Sequence, residues 1–407
     1  MIVADSHEFI ELYRGDKDLR MGMEMCKLDP SVRFVSFAPD KLSPNDRAHF
    51  RLDYLADVGL PELPDRMEVR LLPSASLRFA SKESGGIVAL SPGYSRAIRN
   101  LKPDIIMENP FSWLTPRSYQ THWAARRLRV PIVYYDPGDD IPISRKHALM
   151  SFWETPVVRY ASAIITYNEA GRLRFMRKYG YPEDRIHVIP KPVDIKACRS
   201  EEDASELRRS WGAVDETIVI GYLGRLASYK GSQILLNVAR NALGDPRLGA
   251  VRFVFIGGAL GSQETEATYR LANTYVTGMV DRNAIPVMLA ACDVLVFPNF
   301  TNPGGFPTAV AEAMAVGKPI IAGIGRRRDL VPLEDGETAL LVEPGDESSL
   351  TEALVSLASD AALRRRLGEN VAAFAEKEMA YPKVAADYLD ILREAVEESS
   401  TSRRNRS

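Results

Sequence analysis

Short apolar runs alternate with amphipathic stretches along the whole chain, and that alternation confines it to α/β folds built on parallel sheets. In the first half the runs Val32–Ala38, Met67–Leu72, Asp104–Met107, Pro131–Tyr135, Ala163–Thr166 and Ile186–Ile189 read as strands, with helices around Asp18–Cys26 and Tyr94–Asn100. In the second half the strands are Thr217–Tyr222, Val251–Ile256, Thr274–Val276, Val294–Phe297, Pro319–Ala322 and Ala339–Val342. Helices around Ser232–Asn241, Ile285–Ala291, Thr308–Val316 and Ser348–Ala358 separate them. A chain of 407 residues exceeds one ordinary core, so two domains are expected. The segment Val188-Ile189-Pro190-Lys191-Pro192-Val193-Asp194 runs from a strand into a proline-stiffened joint, giving domains over 1–192 and 193–380. Beyond it, Tyr381, Val384, Tyr388, Leu389, Ile391 and Leu392 share one helical face. A helix over 381–396 is expected to cross back onto the first domain, and polar residues 397–407 read as a disordered tail.

Composition removes several classes of function. Charged residues make up 26% of the chain and the net charge is −2, which argues against a nucleic-acid or other polyanion partner. No apolar run approaches the roughly twenty residues that span a bilayer, and Met1–Asp5 lacks the basic start of a secretory signal. Cys26, Cys198 and Cys292 stand far apart in no ligand spacing, so free thiols, a reducing cytoplasm and no metal site are expected. The five histidines form no zinc or triad pattern.

Chemistry gathers at two strand-to-helix junctions. The first is Gly221-Tyr222-Leu223-Gly224-Arg225-Leu226-Ala227-Ser228-Tyr229-Lys230-Gly231. Gly221 and Gly224 let backbone approach a ligand, while Arg225 and Lys230 offer a fork and a point charge to a diphosphate. The second runs from Gly304 and Gly305 through Phe306, Pro307 and Thr308 to Glu312. Its helix start leaves N–H groups free for anionic oxygens. Glu312, on an otherwise small and apolar helix, suits ribose hydroxyls. In open α/β sheets ligands settle at the carboxyl ends of strands, where both junctions lie. Together they suit a nucleoside diphosphate carrying a further group.

These residues resemble the family-four glycosyltransferases. The elements carrying the resemblance are Gly-Arg-x4-Lys-Gly at 224–231 and Glu-Ala-Met-Ala-x-Gly-Lys-Pro-Ile-Ile-Ala at 312–322. Asn273–Val280 with Gly278, Ala291–Pro298 and Asp335–Asp346 match as well, so the likeness covers the second half almost continuously and the first half loosely. The resemblance implies the GT-B fold, two Rossmann-like domains with parallel sheets facing across a cleft, and a metal-independent transferase that retains anomeric configuration. It implies no cofactor, only a nucleoside-diphosphate sugar, UDP or GDP, as donor. Arg225 and Lys230 would bind the diphosphate and Glu312 the ribose. Backbone near Gly278, Met279 and Val280 would hold the base, and Gly304–Phe306 would face the sugar and the β-phosphate. Gly15, after the first strand, is a weaker candidate for the donor phosphate.

Two departures bear on the substrate. Where the family has a second glutamate, eight residues before the ribose-binding one, this chain has Gly304; where it has a histidine after the strand ending at Tyr135, this chain has Pro137. Both groups normally grip a hexose. A modified or longer donor sugar is one explanation, and a hexose held by Asn302, Thr308 or backbone amides is the other. The acceptor is expected to be a small natural product, as in antibiotic biosynthesis, with a cell-envelope glycan as the alternative. In the cluster Asp136-Pro137-Gly138-Asp139-Asp140, Asp136 or Asp139 is a candidate to orient or deprotonate the acceptor; a turn with Asp side chains on nearby backbone explains the same residues. The cationic stretch Arg172, Arg174, Arg177 and Lys178, with Leu173, Phe175 and Met176, reads as a surface helix packed on its apolar side or as a peripheral membrane contact. A nucleotide-sugar epimerase, converting donor without acceptor, and a non-catalytic partner subunit remain the readings of other classes.

Overall fold

A computed structural model describes residues 1–6, 17–40, 62–78, 87–110, 114–138, 145–259, 265–299, 306–325, 327 and 329–404. The chain forms two compact units, Met1–Ile189 with Tyr381–Ser407, and Pro190–Ala380.

In the first unit the strands are β1 Ile2–Ser6, β2 Arg33–Pro39, β3 Met67–Leu72, β4 Ala75–Arg78, β5 Ile87–Leu90, β6 Ile105–Glu108, β7 Ile132–Asp136, β8 Ala163–Thr166 and β9 Ile186–Val188. Seven of them make one parallel sheet in the order β3-β2-β1-β6-β7-β8-β9. The central strands β6, β7 and β8 are buried along their whole length, as expected where helices cover both faces. One face packs on helices Lys17–Leu28 and Tyr381–Arg404 through Met25, Phe34, Tyr388 and Leu392. The other packs on Tyr94–Leu101, Pro116–Leu128, Arg145–Val158 and Glu169–Tyr179 through Tyr94, Ala124, Val158 and Phe175. β4 and β5 pair separately as an antiparallel hairpin, which the sequence pattern did not signal.

The second unit carries β10 Ile218–Leu223, β11 Val251–Ile256, β12 Thr274–Val276, β13 Val294–Phe297, β14 Ile320–Gly323 and β15 Leu340–Val342. They lie parallel in the order β12-β11-β10-β13-β14-β15. The strand order turns at β10, whose neighbours are β11 and β13, so the crevice at its carboxyl end is the topological switch point. At the opposite end one guanidinium ties the elements together. Arg208 donates to the carbonyls of Ala291 (2.7 Å) and Thr217 (2.7 Å) and to Asp293 (2.9 Å), which also accepts from the Val219 N–H at 2.8 Å.

The polar segment expected to be a disordered tail is helical through Arg404. Extending an existing helix needs no new nucleus, so polar residues continue it at little cost. No helix among the described residues is long and apolar enough to cross a membrane.

Replacing Arg208 by alanine removes donors from two carbonyls and a carboxylate, and is expected to lower the stability of the second unit by about 2 kcal/mol. A lower denaturation midpoint at unchanged slope, followed by Trp211 fluorescence, checks this.

Candidate active site

The carboxyl edge of β10 is shaped by close backbone contact. Gly224 sits at φ +154° and Gly257, after β11, at φ +138°; a Cβ on Gly257 would lie 2.1 Å from the Gly224 carbonyl oxygen. Only glycine fits there, and the loops lock together. The Gly224 N–H donates to Ile256 O (3.0 Å), the Leu226 N–H to Gly258 O (3.1 Å), and the Gly257 N–H to the Thr277 hydroxyl (3.1 Å). Gly257 also bridges to Gly278, which takes φ +70°. Gly278, Met279 and Val280 therefore stand beside the first junction, with Met279 exposed.

The Tyr222 hydroxyl donates to the Arg225 carbonyl at 2.8 Å and fixes the backbone from which the two cations project. The Arg225 guanidinium lies 6.0 Å and the Lys230 ammonium 5.7 Å from the centre of the Tyr229 ring. Burial, and the neighbouring Arg225, push the Lys230 ammonium below its ordinary range. Among the described residues no carboxylate pairs with either cation. Two like charges held together without a counter-ion form a site that an anion relieves.

Gly231, at φ +78°, packs against Pro298 and Asn299, and the Asn299 amide donates to Tyr229 O (3.4 Å). The first junction thus touches the loop after β13, which leads into helix Thr308–Val316. Pro307 occupies the N-cap position and supplies no capping side chain. Val310, Ala311, Ala313, Met314 and Ala315 are buried, leaving Glu312 as the one charge on the helix, its side chain 14% exposed. Burial raises its carboxyl above the ordinary 4.5, opposed by Arg282 and Lys191. Arg282 Nη2 stands 3.8 Å from it.

Lys191 is a site residue the sequence reading missed. It is buried, and its ammonium donates to the Thr308 hydroxyl (2.6 Å) and to the Phe306 carbonyl (3.2 Å), fixing the entry to the helix. The available signal was a lysine held between Pro190 and Pro192, which was read only as joint. Gly304, Gly305 and Asn302 lie outside the described residues.

In the first unit Asp136 closes β7 and is 1% exposed. One of its oxygens accepts from the Gly138 N–H at 2.8 Å and the other pairs with the buried Arg174. The turn therefore holds this carboxylate with both oxygens engaged. Gly138, at φ +76°, leaves room for Asn168, whose amide donates to Gly138 O (3.1 Å) and whose oxygen caps helix Glu169–Tyr179 at Gly171 N (2.9 Å). Asp139 and Gly15 lie outside the described residues. The helix expected to carry cations on its surface turns two of them inward. Arg174 meets Asp136, and Lys178 meets buried Glu154 at 2.7 Å. A second polar cluster, unmarked in sequence, lies at the carboxyl ends of β1 and β6. There Ser6 accepts from Tyr94 and Arg117, and Arg117 stands 3.7 Å from Glu108, whose carboxyl is raised by burial.

Comparison with known proteins follows the same division. Residues 31–197 match the family model described as Glycosyltransferase Family 4, and residues 217–360 the one described as Glycosyl transferases group 1. A D-inositol 3-phosphate glycosyltransferase of Corynebacterium efficiens is 26% identical over 63% of this chain and 64% of its own length. An alpha-D-kanosaminyltransferase of Streptomyces kanamyceticus is 27% identical over 54% of this chain and 57% of its own. The aligned part of the chain thus spans less than two thirds of either relative. The crystal structure of Anabaena HepE in complex with UDP superposes with a TM-score of 0.71 at 20% identity, covering 97% of this chain and 99% of that one. The fold is the two-domain GT-B architecture expected from the sequence.

Asp136→Asn separates a structural from a chemical role for that carboxylate. Leaving Arg174 buried without its partner is expected to cost about 3–5 kcal/mol. Turnover per folded molecule should stay near wild type, whereas an acceptor base would lose turnover at unchanged stability. Denaturant titration beside activity at low temperature reads both.

Proposed function

With each half of the chain matched to a glycosyltransferase family model, we propose that the protein is a retaining, metal-independent glycosyltransferase that moves a sugar from a nucleoside-diphosphate donor to a small-molecule acceptor. The observation carrying this reading is the pair Arg225 and Lys230, clustered at the switch point of the sheet without a carboxylate partner among the described residues. In the proposed complex the diphosphate takes the place of that partner. Gly278–Val280 backbone meets the base, Glu312 accepts hydrogen bonds from the ribose, and Lys191 holds the helix start beside the β-phosphate. The acceptor binds the first unit.

In the reaction the bond from the anomeric carbon to the β-phosphate oxygen breaks, and the bond to the acceptor oxygen forms on the same face. The acceptor proton passes to a donor phosphate oxygen, so no side-chain base is required. Arg225 and Lys230 stabilise the charge that grows on the departing diphosphate, a role worth more in a desolvated site than in water. UDP, the nucleotide bound by HepE, is the first to test, with GDP next. A modified donor sugar fits both the loss of an acidic residue at Gly304 and the kanosaminyl group in the name of one relative. D-inositol 3-phosphate in the name of the other supports a small acceptor.

Alanine at Arg225 or Lys230 is expected to weaken UDP binding by roughly 10- to 100-fold, measured by calorimetry, while raising the unfolding temperature of the free protein by removing an uncompensated cation. Glu312→Gln should behave similarly. Because the folded carboxyl titrates above 4.5, the folded state binds the proton more tightly than the unfolded chain. Stability of the free protein therefore rises as pH falls through that window, and UDP affinity falls with it. The glutamine variant should flatten both curves.

Transfer or hydrolysis measured on UDP-glucose against amino- and deoxy-sugar donors decides the sugar. Preference for a modified donor is expected, and efficient use of UDP-glucose overturns that part of the reading.

A further inference from the structure

Three helices of the first unit, Tyr94–Leu101, Pro116–Leu128 and Arg145–Val158, cover one face of its sheet and present an outer surface unlike the rest of the chain. Leu149, Phe152 and Trp153 are 73%, 73% and 69% exposed, one helical turn apart on a single face. The Phe152 and Trp153 rings meet edge to face at 5.3 Å. On the neighbouring helix Tyr119 and Trp123 are exposed at i and i+4 spacing, and exposed Arg126 and Arg127 continue that stripe by another turn. Glu154 accepts the N–H of Leu114, just ahead of helix Pro116–Leu128, at 2.9 Å, and burial, with Glu154, raises the Tyr119 hydroxyl. Arg99 lies 4.7 Å over the Trp123 ring, connecting the third helix to the same surface.

The charges are one-sided. Glu154 is the single acidic residue in the three helices, and it is buried against Lys178. Arg96, Arg126 and Arg127 are exposed, and Lys102, Arg129 and Arg159 follow at the helix ends. A chain of net charge −2 therefore carries a face that is cationic and apolar at once.

We propose that this face docks on an anionic lipid bilayer, with Leu149, Phe152 and Trp153 below the headgroups and the arginines at phosphate level. Exposed aromatic and aliphatic side chains gain by entering lipid, and arginines on helices whose one acid is buried gain next to anionic headgroups. A second copy of the chain would set arginine against arginine across a two-fold axis, so charge disfavours self-association here. The proposal is independent of the nucleotide chemistry in the other unit.

The test is flotation of the full chain with vesicles of phosphatidylcholine alone or with about a third phosphatidylglycerol, at low and high salt. Binding is expected only to the anionic vesicles and should weaken with salt. Phe152→Ser and Trp153→Ser should each weaken it about tenfold, and Arg126→Glu or Arg127→Glu at least fivefold. These side chains are exposed, so circular dichroism and unfolding temperature should match wild type. Tryptophan emission should shift to the blue on binding, and Trp153→Phe should lose most of that shift while still binding. No flotation, or flotation equal in the Phe152→Ser and Trp153→Ser variants, overturns the proposal. So does a dimer in solution that those variants dissolve, because it would place a second copy on the face.

Discussion

The second unit depends on a contact that tolerates no side chain. Gly257 passes so close to the Gly224 carbonyl that a methyl group would overlap it, and this closeness brings the loops after β10, β11 and β12 into register. Arg225, Gly278 and Met279 reach one edge of the sheet because backbone there is joined to backbone. The junction is built from hydrogen bonds between main-chain atoms and a buried tyrosine, so the cations stand on a rigid platform. Preorganisation of this kind keeps a charged site from relaxing away from its ligand.

Buried and half-buried charges are used differently in the two units. In the first, Asp136 pairs with Arg174, and Glu154 with Lys178; these pairs fix helix Glu169–Tyr179 to the end of β7 and to helix Arg145–Val158. In the second, Lys230 and Arg225 crowd one another and Glu312 is desolvated with a partner only at 3.8 Å. Paired charges specify a fold, while charges left short of partners store free energy that a ligand releases. The difference separates what holds this protein together from what it is expected to bind.

The second unit was the more legible in sequence because the features that mark its candidate site are local. Gly224, Arg225 and Lys230 fall within one strand-to-helix junction, and Glu312 lies in the helix that opens at the next, about one turn from its start. Tertiary contacts in the first half join residues distant in sequence, so their roles were hidden. Asp136 stands in sequence as a candidate base or a turn residue, and Arg174, the buried partner thirty-eight residues later, is brought to it only by the fold. Ser6, Tyr94, Glu108 and Arg117 make a cluster that no spacing announces. Lys191 was visible between two prolines, yet its meaning depends on Thr308, which only the fold brings near. The helical tail escaped because polarity was read as disorder, although a helix already begun needs little further reason to continue.

Net charge concealed one further property. Acidic residues elsewhere offset the arginines of the three-helix face, and the balance of −2 says nothing of how the signs are arranged. Once the sheet places Tyr94–Leu101, Pro116–Leu128 and Arg145–Val158 on one side, their inward residues supply the core and their outward residues are left with cations and large apolar groups. Two of these helices, Pro116–Leu128 and Arg145–Val158, follow β6 and β7, at whose carboxyl ends an acceptor would bind in an open α/β sheet. No described helix is long and apolar enough to span a bilayer, so the proposed contact is one in which the first unit lies on the surface with these helices against it.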